Sequence, residues 1–256
     1  MLLCAGIFLL FRFARQGEVA ADTEWLTSTL IAHRGMHDSS ENIPENSLSA
    51  FAKAIENGYI IELDVSITKD QQLVVFHDKK LKRLFELDSY LIETNYEDIA
   101  EMTFANTQEK IPLFREVLDF VDGQVPLLIE IKNEGEVGVM ERMIYEELKN
   151  YDGLYAIQAF NPFSVGWFRK NAPEVLRGQL AGSFVVSDYD VEYAGTTRLP
   201  WYKRVLLSNL LLNFTSKPNF IAYEVENVPV KTFASIKKLG VPILGWTIKE
   251  KSEYEK

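Results

Sequence analysis

Residues 59–78 read YIIELDVSITKDQQLVVFHD. YIIELDV (59–65) has the make-up of a β-strand, and a side-chain period of two sets Glu62 and Asp64 on one face while Ile61, Leu63 and Val65 point the other way. QLVVFH (72–77) reads as another strand and ends on a histidine. A strand apolar on both faces except for two carboxylates belongs inside a parallel sheet covered by helices. The flanking sequence keeps that pattern. TLIAH (29–33) precedes LSAFAKAIENG, where Leu48, Phe51, Ala52 and Ile55 fall at helical spacing, with Asn46 or Ser47 as N-cap and Gly58 as the stop.

Downstream, VPLLIEIK (125–132), LYAIQAF (154–160), VLRGQL (175–180), FIAYEV (220–225) and VPILGWTI (241–248) continue the strands, with helices expected near 113–121, 136–149, 162–171, 229–239 and at the chain end. A polar stretch from 78 to 110 and an irregular insertion from 181 to 218 interrupt them. Strand and helix alternation over this length predicts an α/β fold with a parallel sheet. Without repeats or low-complexity linkers, residues 26–256 read as one domain after a distinct segment, 1–25. Pattern alone leaves barrel and open sheet undecided.

Polar residues collect at the strand ends: His33 after TLIA, Glu62 and Asp64 late in YIIELDV, His77 after LVVF, Glu130 and Lys132 closing VPLLIEIK. In a (β/α)8 barrel such positions are where catalytic residues gather. Glu130 and Lys132 share a face, so three carboxylates can converge. Burying them unpaired is very unfavourable, and a cation is expected among them: a divalent metal, or Lys132 and Arg34. Three hard oxygen ligands favour one Mg²⁺ or Ca²⁺ over Zn²⁺. The chain's three histidines, His33, His37 and His77, all bracket this region. Two imidazoles, carboxylates and an arginine suit metal-assisted cleavage of a phosphate ester. His37, Asp38 and Glu41 read as solvated loop residues, and Glu45 and Asn46 read as helix-capping or ligand-orienting groups.

Composition excludes other classes. Against 27 Lys and Arg stand 37 Asp and Glu, a net charge of −10, and no basic cluster interleaved with aromatics offsets it, so nucleic acid is not the expected partner. The only cysteine, Cys4, lies in an apolar run, which rules out thiol catalysis and an internal disulfide. MLLCAGIFLLFRFARQG (1–17) is basic after its apolar run, the reverse of a secretory signal. Its reading is a trimmed membrane anchor, an interfacial helix or a helix on the domain. As an anchor, with Arg12 and Arg15 on its C-terminal side, it places the body in the cytoplasm.

HRG (33–35), PENS (44–47), ELDV-x-x-TKD (62–70), VVFHD (74–78) with LKR after it, and EIK (130–132) are similar to the glycerophosphodiester phosphodiesterase family, ordered and spaced as its motifs are. FNPF (160–163), RGQL (177–180) and WTI (246–248) extend the likeness. It most resembles the bacterial branch with an N-terminal hydrophobic segment. The resemblance implies a TIM-like (β/α)8 barrel with an insertion after the second strand. It implies His33 and His77 as acid and base, Glu62, Asp64 and Glu130 as metal ligands, Arg34 and Lys132 as phosphate holders, and Trp246 as an aromatic wall beside a small glycerophosphodiester. The products implied are glycerol 3-phosphate and an alcohol.

Ala159 stands where the family usually has serine, and Gln71 where a turn glycine is common. A family member continues past WTIKEKSEYEK to one more strand, so the final strand is expected to be absent. RLPWYKRVLLSNLLLNF (198–214) sets Leu206, Leu207, Leu210, Leu211 and Phe214 on one helical face after a basic and aromatic collar, a pattern suited to a membrane surface. Two alternatives follow: lysophospholipase D action on membrane lipids, and a non-catalytic, membrane-tethered phosphodiester-binding module. The oligomeric state leaves no trace in the sequence.

Overall fold

The computed structural model of the chain describes residues 17–18, 22–133, 135–226, 234 and 237–248. Its strands are β1 (Ile31–Ala32), β2 (Ile60–Ile67), β3 (Leu73–Val75), β4 (Leu127–Ile131), β5 (Tyr155–Ala159), β6 (Leu176–Ala181), β7 (Phe220–Glu224) and β8 (Ile243–Trp246). The helices are α1 (Leu48–Glu56), α2 (Lys82–Phe85), α3 (Tyr96–Ile99), α4 (Phe114–Val121), α5 (Val139–Leu148), α6 (Pro162–Asn171), α7 (Trp201–Ser208) and α8 (Asn213–Ser216). Along the sheet the order is β1-β2-β4-β5-β6-β7-β8, with β3 beside β2 and off that path. The pairs β1/β2, β2/β4, β6/β7 and β7/β8 are parallel. Sequential parallel strands with helices between them define a TIM-like α/β fold, here with seven strands on the path among the described residues.

One expected barrel strand is something else. LVVFH has the composition of a strand of the parallel series, but β3 runs antiparallel to β2, with Val65 opposite Val75 and Ile67 opposite Leu73. Only five residues separate the two strands, too few for a parallel crossover, so a hairpin is the only connection that closes. Gln71, at the glycine-preferring position, takes φ 61° in its turn. The return arm brings Phe76 N to donate to Asp64 O at 2.9 Å, which sets the next residue, His77, at the level of the carboxylates.

The chain divides into two compact units. The first holds Ser28–Ala156 and Val186–Arg198. Its core is built on Ile61, Leu63 and Val65 of β2 and on Leu127 and Ile129 of β4, all fully buried, with Phe51 of α1 and Phe114, Val117 and Val121 of α4. Each such side chain contributes about 1.5–3 kcal/mol of burial. The 78–110 stretch is less polar inside than its sequence indicates. Leu81, Leu91, Ile99 and Phe104 from it form a separate apolar cluster with Val74, Phe76 and Ile111 from its flanks, and Phe85 packs against that cluster.

The second unit holds Ile157–Val185 and the described residues of 1–27 and 199–256. Leu210, Ile221, Tyr223 and Val241 form an apolar cluster in it with Ala181. Gly178 of β6 lies against the Phe220 ring of β7, where a Cβ would come within 2.1 Å of the ring, so no larger residue fits. The single helical face expected over 206–214 does not form. Leu210 adopts φ 57°, which ends α7 and starts the turn into α8, and it is buried while Leu206 and Phe214 are exposed. Of the expected helix at 229–239 the structure describes only residue 234 and a 3-10 turn, Lys237–Leu239; the chain-end helix and the segment 1–16 lie outside the described residues. No helix among the described residues is long and apolar enough to cross a membrane.

Candidate active site

The site lies within the first unit. Parallel register sets Asp64 of β2 beside Glu130 of β4, so these two carboxylates share a face, and Glu62 follows two residues earlier on β2. Ligand oxygens of Glu62, Asp64 and Glu130 all lie within 4.8 Å of one another, and all three residues are buried. Burial, then the charges of Asp64 and Glu130, pushes the Glu62 carboxyl well above its ordinary range. Burial and the Asp64 charge likewise raise Glu130, against the pull of Lys132. Burial also opposes ionisation of Asp64, yet Lys132, His77, Arg34 and the Asn46 amide hold it far below the usual carboxylate range. Two reluctant carboxylates beside one strongly ionised one describe a site short of positive charge.

The cations are placed by the strand ends. Lys132 follows β4; its backbone N donates to Val65 O at 3.0 Å, and its Nζ donates to Glu130 Oε1 at 2.8 Å and lies 3.5 Å from Asp64 Oδ1. Arg34 follows β1 in the left-handed region, φ 55°, with its backbone N donating to Glu62 Oε2 at 2.9 Å. That turn requires Gly35: its φ is 76°, and a Cβ there would approach the Ala50 Cβ to 2.8 Å. The Arg34 guanidinium donates from Nη1 to Glu45 Oε1 at 2.8 Å and holds Nε 3.5 Å from Asp64 Oδ2.

His33 precedes Arg34. Burial, then the Arg34 charge, pushes its imidazole down to about 4, so it is neutral near pH 7. His77 lies 2.6 Å from Asp78 through Nδ1. The Asp78 carboxyl is held below its usual range by the hydrogen bonds from His77 and Arg83, despite burial, so it is an ionised acceptor and His77 Nδ1 is the donor. The third histidine, His37, is exposed in the loop, and Glu41 there pairs with Lys53 at 2.5 Å.

Four residues matter more than the sequence reading gave them. The α1 cap is Ser47, whose Oγ accepts from Ala50 N, which frees Asn46 for a different task. From φ 56°, Asn46 donates its Nδ2 to Asp64 Oδ2 at 2.9 Å and accepts from Asp64 N through Oδ1 at 3.3 Å, holding that residue by one carboxylate oxygen and by its backbone N–H. Glu45 accepts from Arg34 and from Arg83, and despite burial those partners hold it down to about 2. Asp78 and Arg83 complete the same network. A carboxylate directly before the cap, and an arginine six residues beyond the second histidine, were the available signals.

Trp246 ends β8 in the second unit, half-buried, with its ring edge-on to Phe160 at 5.7 Å; Phe160 in turn meets Phe184 at 5.5 Å.

The donor set fits a hard divalent cation. All three oxygens converge, Asp64 Oδ1 is buried and accepts no hydrogen bond, and five carboxylates (Glu45, Glu62, Asp64, Asp78, Glu130) face three cations (Arg34, Arg83, Lys132). The excess of carboxylates over arginine and lysine is of the sign that such an ion offsets.

The profile of the Glycerophosphoryl diester phosphodiesterase family matches residues 33–256. A glycerophosphodiester phosphodiesterase of Caldanaerobacter subterraneus subsp. tengcongensis is 28% identical over 90% of this chain and 90% of its own length. A lysophospholipase D of Rattus norvegicus is 34% identical over 47% of this chain and 41% of its own length. A phosphodiesterase of Oleispira antarctica, solved in complex with the product sn-glycerol-3-phosphate, superimposes with a TM-score of 0.68 at 24% identity, covering 88% of this chain and 86% of that one. A barrel-type fold with an acidic cluster and basic side chains at one strand rim is the frame of a phosphodiesterase. The chain belongs to the glycerophosphoryl diester phosphodiesterase family, and its activity is the hydrolysis of glycerophosphodiesters.

Proposed function

We propose that the chain hydrolyses glycerophosphodiesters to glycerol 3-phosphate and an alcohol, with one divalent cation, Mg²⁺ or Ca²⁺, held by Glu62, Asp64 and Glu130. The observation that carries this reading is the convergence of three buried carboxylates beside Arg34 and Lys132. When bound, the cation supplies Lewis-acid charge at a phosphate oxygen. The chain's own groups do the rest. Arg34 and Lys132 neutralise the phosphodiester and reduce its repulsion of a nucleophile. His33, neutral near pH 7, removes a proton from the attacking hydroxyl or water. His77, as the imidazolium with its Nδ1–H on Asp78, delivers the Nε2 proton to the departing alkoxide and is left as the neutral Nδ1–H tautomer.

The test is release of glycerol 3-phosphate from glycerophosphocholine by the full chain. Turnover that EDTA abolishes, and that falls on the order of 10²–10⁴-fold in His33→Ala and in His77→Ala, is expected. Wild-type turnover in either variant removes the two-histidine assignment. The part given to Trp246, an aromatic wall for the substrate, rests on the family resemblance alone; a KM unchanged in Trp246→Ala ends it.

A second reading is lysophospholipase D action at a lipid surface, with residues 1–25 as a membrane anchor and the body in the cytoplasm. Helix α7 favours it. None of its residues is buried, and Trp201 is 75% exposed and Tyr202 49%, beside Lys203 and Arg204. The aromatic and basic collar suits an interfacial helix. Choline release from lysophosphatidylcholine vesicles exceeding that from soluble glycerophosphocholine supports this reading; the reverse preference leaves the soluble substrate.

A further inference from the structure

Arg83 sits on the four-residue helix α2, outside the group of residues that the phosphodiesterase reading places on substrate or metal. It makes four hydrogen bonds, all to carboxylates. Nε donates to Asp78 Oδ2 at 2.6 Å and Nη2 to Asp78 Oδ1 at 3.1 Å. Nη1 donates to Glu45 Oε2 at 3.0 Å and Nη2 to Glu45 Oε1 at 2.6 Å. Both carboxylates are shared. Asp78 Oδ1 also accepts from His77 Nδ1 at 2.6 Å, and Glu45 Oε1 also accepts from Arg34 Nη1 at 2.8 Å. The result is a continuous line of alternating charge, His77–Asp78–Arg83–Glu45–Arg34, with Arg83 at its centre.

The line is held from behind. Leu81, next to α2, is fully buried in the apolar cluster of the 78–110 stretch, and Leu84 and Phe85 pack against that cluster. Phe85 meets Phe104 at 4.9 Å between ring centroids. Arg83 thus projects from a short segment anchored by its neighbours. Its planar fork suits two carboxylates at once, whereas a lysine ammonium is a single point of donation on a flexible stem.

We propose that Arg83 is a positioning residue that fixes both ends of the site: through Asp78 it locks His77 in the Nδ1–H tautomer with Nε2 presented for proton transfer, and through Glu45 it aims the Arg34 guanidinium. This rests on the reading of His77 as a proton-transfer group and Arg34 as a phosphate holder. The 78–110 stretch is then the support of the site, and removing a residue that touches no reacting atom disables two that do.

The test pairs Arg83→Gln with Arg83→Lys in the full chain. The ¹⁵N shifts of the histidine rings give the tautomer of His77, which His77→Ala assigns among only three histidines. Expected, at a pH where the His77 ring is neutral, are a single Nδ1–H tautomer in wild type and a mixture in both variants. The kcat/KM for glycerophosphocholine should fall on the order of 10- to 100-fold, while Ca²⁺ affinity stays within about twofold. Lysine should not rescue, because charge without the fork cannot serve both carboxylates. Should Arg83→Gln not fold, Glu45→Gln reads the line from its other end, with a raised KM and the His77 tautomer intact. Wild-type kcat/KM in Arg83→Lys, or an unchanged His77 tautomer in Arg83→Gln, overturns the proposal. A wild type inert toward glycerophosphocholine whose His77 tautomer is nonetheless released in Arg83→Gln would sink the catalytic reading and leave the positioning intact.

Discussion

Strand β2 in the first unit and strand β6 in the second both bury polar side chains, and they do so on opposite terms. On β6, Arg177 is 2% exposed and Gln179 3%. Arg177 donates to Ser216 O at 3.3 Å and to Glu18 Oε2 at 2.5 Å, and Gln179 Nε2 donates to Ala159 O at 3.0 Å and Phe160 O at 3.1 Å. Each of these donors meets a carbonyl or an opposite charge. On β2 the like charges Glu62 and Asp64 are gathered with Glu130 of β4, and burial raises two of the three. Polar burial alone therefore does not mark a site. On β6 the buried donors are paired and only the Gln179 Oε1 acceptor is left without a partner, whereas convergent like charge on β2 lowers stability until a ligand arrives.

The largest test of that contrast is Asp64→Asn, which should lower kcat on the order of 10³-fold by removing the best-ionised ligand. Leu63→Ala removes the neighbouring side chain on the opposite face. It should cost about 2–5 kcal/mol in urea unfolding yet leave kcat per folded molecule unchanged, because it contributes packing and no chemistry. Arg177→Met should cost about 1–3 kcal/mol by the same measurement, again with kcat preserved. Equal losses of kcat in Leu63→Ala and Asp64→Asn would erase the distinction between the two faces of β2.

The pH dependence sharpens it. Glu62 and Glu130 have folded-state values raised above the unfolded ones, so in metal-free protein the folded form binds more protons just above the ordinary carboxylate range. Their contribution is present below that range and is lost as pH rises through it. Glu62→Gln should flatten this decline and raise metal-free stability at pH 7 by about 1 kcal/mol, while abolishing EDTA-sensitive turnover. A metal-free wild type that gains stability from the Glu62 and Glu130 titration would reverse the sign. The smallest effect is Gln71→Gly, which relieves φ 61° in the β2–β3 turn and should add about 0.5 kcal/mol without touching kcat.

Much of the site was legible because strand periodicity is local: the shared face of Glu62 and Asp64, and of Glu130 with Lys132, follows from a period of two. The parallel sheet followed from strand and helix alternation, although LVVFH lies off its path. What escaped was set by geometry at a distance. LVVFH has strand composition in either direction, and only the five-residue connection to β2 betrays the hairpin. Asn46 and Glu45 sit where capping residues sit, and the assignment of the cap to Ser47 depends on backbone angles that composition does not encode. Arg83 stands in the LKR after VVFHD, where nothing local marks its role, since its worth comes from Glu45, 38 residues earlier. In the 206–214 run, apolar spacing favoured one helix, and the left-handed Leu210 that breaks it leaves no compositional trace.

The most direct test is a calorimetric titration of metal-free protein with Mg²⁺ and with Ca²⁺, followed in parallel by turnover of glycerophosphocholine. The expected result is a single binding site, lost in Asp64→Asn, with turnover returning in proportion to its occupancy. Full turnover in the metal-free protein, or undiminished binding in Asp64→Asn, would contradict a catalytic cation held by Glu62, Asp64 and Glu130.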